Sequence, residues 1–214
     1  MTKGTMQTRC NPEGISERFG SYLVSRIKHC VSSTKVRMNE DTNVITATEL
    51  DSHADSPVVG RYSRVLEETG RTARVSGFSS ELGEPLEVPI VNAAVAYDCD
   101  ITGVTHILVI CNALYLRSMG VNLIPPFMMR LAGLEMDECP KFLSSAPTER
   151  NHSMYFPSLD IRIPFHIEGI ISYIPTRMPS ESELMELEGS YLLITPNLPS
   201  WEPTPISIKI RSMG

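Results

Sequence analysis

Apolar and polar positions alternate with two different periods along this chain, and the change of period divides it. Over residues 15–31 (ISERFGSYLVSRIKHCV), Ile15, Phe19, Tyr22, Leu23 and Ile27 recur at helical spacing with Arg and Lys between them. That spacing predicts an amphipathic helix, interrupted at Gly20. A polar linker, Ser32 to Lys35, follows. From about residue 42 the apolar positions fall into short runs bounded by turn residues, which is how strands read. Residues 43–48 lead into Glu49, Leu50 and Asp51, and residues 73–78 and 86–90 flank a glycine-containing loop. Runs at 91–97 and 104–110 are separated by Asp98-Cys99-Asp100-Ile101-Thr102-Gly103, whose Asp and Gly supply hairpin chemistry. Residues 121–131 are apolar, but Pro125-Pro126 block a regular helix start before Phe127. Further strands are expected at 161–165, 167–174 and 191–195, with a short capped helix over 179–186. Sixteen prolines favour short strands over long helices, and the prediction is a mainly β fold.

Composition narrows the class. At 214 residues and 42% hydrophobic, the chain can bury a substantial core. The net charge of −6 conceals an asymmetry: residues 1–38 carry seven Lys/Arg against two Glu, and the remainder 12 Lys/Arg against 23 Asp/Glu. An acidic body repels phosphate backbones, so nucleic-acid binding is expected, if anywhere, only through the basic leader. No apolar run reaches the roughly 18 to 20 residues that span a bilayer, and the N-terminus lacks the apolar core of a signal peptide. No membrane association and an intracellular, cytoplasmic setting are therefore expected. Cysteines 10, 30, 99, 111 and 139 have neither zinc-finger spacing nor an even-numbered framework, so reduced thiols are expected, with no metal and no organic cofactor.

One segment carries chemistry: Glu49-Leu50-Asp51-Ser52-His53-Ala54-Asp55-Ser56-Pro57-Val58-Val59-Gly60. Peptide hydrolysis by carboxylates takes two of them sharing one proton, one acting as base and the other as acid. The chain offers this loop once; in Asp100-Ile101-Thr102-Gly103 an extra residue separates acid from hydroxyl. Such a site therefore needs two copies of the chain, each giving Asp51 across a two-fold axis. Asp51-Ser52-His53 is also similar to the Asp-x-His of metallophosphoesterases, but Asn151-His152 has Arg before it and Ser after it, and no His-x-His occurs. A plain turn at a strand end also uses Asp and Ser.

The loop resembles the catalytic loop of retropepsin-like aspartic proteases, in which an apolar strand ends in Asp, Thr or Ser, Gly, Ala and often a second acid. Asp51 falls on the catalytic aspartate, Ser52 on the hydroxyl residue, Ala54 on the alanine and Asp55 on the second acid, while His53 stands where the family has glycine. Residues 113–124, ALYLRSMGVNLI, resemble the segment that closes the protease domain of copia-type retrotransposon polyproteins, with Arg117 at a usual proline and Pro125 at a usual serine. The likeness implies an acid-protease β-barrel with short helices over 42–136, a basic, partly helical or disordered leader at 1–41 and a β-containing extension at 137–214. It further implies an endopeptidase acting as a homodimer on a polypeptide, its own polyprotein. Asp51 is then the catalytic acid/base and Ser52 the brace between loops; Ala54, Asp55 and a flap near 73–97 hold substrate. Histidine in place of glycine is expected to strain the tight turn and to set an imidazole beside the carboxylates. The competing expectation is a retroelement-derived module that keeps the fold and has lost catalysis.

Overall fold

The structure is a computed structural model that describes residues 44–54, 56–75 and 86–198. The expected helix at 15–31, the basic leader, Asp55 and the tip of the flap lie outside the described residues. Twelve strands and two short helices follow one another: β1 (Thr46–Leu50), β2 (Val58–Val59), β3 (Arg64–Val75), β4 (Leu86–Asp98), β5 (Thr105–Tyr115), β6 (Asn122–Ile124), α1 (Pro126–Leu131), β7 (Glu135–Asp137), β8 (Ser153–Phe156), β9 (Ile161–Pro164), β10 (His166–Glu168), β11 (Ile171–Thr176), α2 (Glu181–Glu186) and β12 (Leu192–Leu193). The protein is mainly β.

Several elements depart from the sequence pattern, each for a local reason. The runs at 86–90 and 91–97 are one strand, β4, which passes through Pro89 opposite Thr72 of β3. Much of β3 is polar and exposed, so periodicity finds only its end; it is held by pairing with β4 and by cross-strand bonds such as Asn92 Nδ2 to Glu67 Oε2 at 2.7 Å. Pro125-Pro126 do not block the helix: Pro126 occupies the first helical position, where a missing N–H costs nothing, and α1 begins on it. The run at 167–174 is split into the hairpin β10–β11 by a turn at Gly169, whose φ of 64° suits glycine. The capped helix expected over 179–186 is α2, where Ser180 and Glu183 exchange side-chain and backbone bonds. The hairpin expected at 98–103 joins β4 to β5, closed by Cys99 N–H to Val104 O at 3.0 Å.

The large sheet runs β10-β11-β1-β6-β2-β5-β4-β3, with β12 pairing β5 off this path; β7-β8-β9 form a second sheet. Among the described residues the closed barrel implied by the resemblance is not formed. The ladder ends at β10 and β3, and β4 meets the chain leaving β11 only through the Ala96–Arg177 bridge. The reason is that β3 occupies the edge of β4 as far as Ala94, so one short stretch of that edge is left for β11.

The main core lies between the two sheets. Val95, Leu108, Ile110, Ile124 and Met129 pack with Met154, Phe156, Ile163 and Phe165, and Ile174 and Ile194 join them. Residues beyond 137 thus share the core of the earlier strands, and β11 is the antiparallel neighbour of β1. Arg177, at the end of β11, clasps α2 and β4 together. Its Nε and Nη2 bond Asp98 at 2.7 and 2.8 Å, and its Nη1 and Nη2 bond Glu183 at 2.9 and 2.6 Å.

Candidate active site

Strand β1 is central, with β11 antiparallel on one side and β6 parallel on the other. Asp51 is the first residue beyond it. Its N–H extends the ladder by one bond, to Ile124 O at 3.1 Å, which fixes where the loop leaves the sheet. Carboxylate Oδ1 then accepts the His53 N–H at 2.9 Å, and Ala54 N–H bonds Asp51 O at 3.3 Å. An aspartate binding the backbone two residues on is the Asx turn that this side chain favours. The result is a buried Asp51, 7% exposed, beneath an exposed Ser52 and His53.

His53 does not adopt the left-handed backbone that the glycine position led us to expect. The non-glycine residues with positive φ among those described are Asn112, His152 and Asp160. The backbone N–H of His53 donates to Asp51 Oδ1 at 2.9 Å, a contact open to any residue but proline. Its imidazole Nδ1 lies 3.3 Å from Ser52 Oγ.

A buried polar chain supports the loop from below. Asn122 Oδ1 accepts from Gly60 N–H at 2.9 Å and Ser63 Oγ at 2.7 Å, and its Nδ2 donates to Thr48 Oγ1 at 3.0 Å. Thr48 in turn lies 2.8 Å from Thr176 Oγ1. One amide thereby ties β6, the turn after β2, β1 and β11. Gly60 is required here by space: a Cβ would sit 2.6 Å from Met119 O and 2.8 Å from Val121 O.

The residues expected at the site are therefore distributed as follows. Asp51, Ser52 and Ala54 share the turn after β1, with Ala54 half-buried, whereas Asp55 is outside the described residues. Asp100 belongs to the β4–β5 turn. Sequence reasoning passed over Glu49, which is 4% exposed and, by strand alternation, shares the β1 face with Asp51. Its signal was present, since acids at i and i+2 of a strand share a face. His152, in the core, packs edge-on to Phe165 with its Nε2 2.8 Å from Ser172 Oγ. Burial pushes its pKa below the ordinary histidine value. Among the described residues no three His, Cys, Asp or Glu converge as metal ligands, and no helix is long and apolar enough to cross a membrane. Comparisons of the chain with family models, curated proteins and solved structures found no match.

Proposed function

We propose that the chain is a retropepsin-like aspartic endopeptidase subunit that acts as a homodimer on a polypeptide, its own retroelement polyprotein. The observation that carries this reading is the setting of Asp51: a buried carboxylate at the end of a central strand, its loop pinned to a parallel neighbour and braced by the Asn122 chain. Preorganisation of this kind suits an acid that must hold one position while it exchanges a proton. In the dimer, two Asp51 carboxylates share one proton. The ionised member takes a proton from water as its oxygen attacks the scissile carbonyl, and the neutral member protonates the carbonyl oxygen. Collapse of the tetrahedral species breaks the C–N bond as the amine leaves with a proton. In this reading Ser52, exposed beside Asp51, bonds across the dimer axis, and the β3–β4 hairpin serves as the flap.

A second reading keeps the fold and dimer surface but not catalysis, and His53 at the glycine position favours it. The test is to incubate the full chain, verified as a dimer by sedimentation, with peptides from its flanking polyprotein between about pH 4 and 7. Cleavage that Asp51→Asn abolishes is the expected result. Silence from a verified dimer across that range overturns the enzyme, and activity gained on His53→Gly then marks His53 as the lesion.

A further inference from the structure

Beyond β2, a groove of about 580 Å³ opens between the turn that Asn122 ties to β6 and the segment leaving β5. Arg61, Arg64 and Arg117 line it with Tyr62, Tyr115 and Met178, and no Asp or Glu is among the lining residues. This is unexpected on a body whose residues beyond 38 carry 23 acids against 12 bases.

Two of the three guanidinium groups, those of Arg61 and Arg117, have no ion pair among the described residues, and Arg64 has one long pair. Arg61 is held by Nη2 to Ser118 O at 3.0 Å and lies 5.9 Å from the Tyr62 ring centroid, both uncharged partners. Arg117 is exposed and has no ion pair among the described residues. Arg64 Nε is buried and meets no acceptor, while its Nη1 lies 3.6 Å from Glu181, a carboxylate 78% exposed and easily displaced. Cations lining one groove repel one another. An anion in the groove relieves that repulsion.

The residue types narrow the anion. Arginine presents a planar fork that matches phosphate oxygens two at a time, where lysine offers only a point charge. Two half-buried tyrosines, Tyr62 and Tyr115, line the same groove, and an aromatic ring is the kind of partner on which a base stacks. The volume is that of a small-ligand site and not of a track for a long polymer. We infer that this groove binds a nucleotide, its phosphate between the arginines and its base against a tyrosine ring. The inference does not rest on the peptidase reading.

Calorimetry on the full chain tests it, with AMP, inorganic phosphate and an oligothymidylate of about ten nucleotides as probes. AMP is expected to bind at least about tenfold more tightly than phosphate, and Arg117→Glu to weaken AMP binding by about tenfold or more. Because Arg117 is exposed, that variant keeps the wild-type urea midpoint. Tyr115→Leu is expected to remove the preference for AMP over phosphate. No measurable heat with AMP overturns the inference, as do equal affinities for AMP and phosphate or AMP binding unchanged by Arg117→Glu. Tighter binding of the oligothymidylate, insensitive to Arg117→Glu, also overturns it and assigns recognition to basic residues elsewhere.

Discussion

Asn122 shows how much one side chain can decide. Its amide is buried and satisfies Gly60 N–H, Ser63 Oγ and Thr48 Oγ1 together. Replacement by an isosteric hydrocarbon fills the space but strands those groups. Asn122→Leu should therefore cost about 2–4 kcal/mol, read as a lower urea midpoint at constant slope. Gly60→Ala forces a methyl group into two backbone carbonyls and should be comparably damaging. His152 makes a prediction about pH. Burial holds its folded-state pKa below the unfolded value of about 6.5, so the unfolded chain binds the proton more readily. Its contribution is complete above pH 6.5 or so and is lost as pH falls toward the folded pKa. His152→Asn, which tolerates the residue's φ of 55°, should flatten the loss of stability between about pH 7.5 and 5.5.

At the scale of elements, α2 depends on one arginine. Six residues make a marginal helix alone, and Ser180 and Glu183 cap it. Leu184 and Leu187 pack on the outer face of β4 and β5 beside Ala94, Ile107 and Val109. Arg177 locks that docking through Glu183 and Asp98. Its hydrogen bonds, ahead of the Ser180 cap, hold the Glu183 carboxyl down to about 2 from an ordinary 4.5. A depressed folded-state pKa means this stabilisation is present above about pH 4.5 and lost as pH falls through about 2. Arg177→Met removes the cation from the half-buried Glu183 and the exposed Asp98. It should lower stability by about 1–2 kcal/mol at neutral pH, since solvent screens the Asp98 side, and remove the acid dependence that Glu183 contributes, measured by thermal melts at several pH values.

At the scale of the molecule, the sheet is assembled from both ends of the described chain. Val58 and Val59 of β2 and Leu192 and Leu193 of β12 line the same edge of β5, at 114–115 and 108–109. Between them Thr195 Oγ1 accepts the Cys111 N–H at 2.7 Å. A chain ended at residue 136 loses β11, β12 and the strands that cover Ile110, Ile124 and Met129. Such a fragment should not fold: dichroism and amide-proton dispersion should show a disordered chain, while the full chain shows a folded one. The proposed catalysis belongs to this scale too, since one chain supplies the Asp51 loop once.

What the sequence determined by itself was local. Alternation marked β1, β5 and β9, the Asp-Gly turn marked the β4–β5 hairpin, and the capping pattern marked α2, because each signal acts over a few residues. The Asp51 motif was visible for the same reason. Polar β3 was hidden, since edge strands are held by backbone pairing and not by burying a face. The tertiary structure alone decided which strands are neighbours, that β11 flanks β1, and that the ladder stays open at β3 and β10. It also decided that Asn122, 74 residues from Thr48 along the chain, braces the site. Those outcomes depend on contacts between distant residues, whose competition no local pattern records.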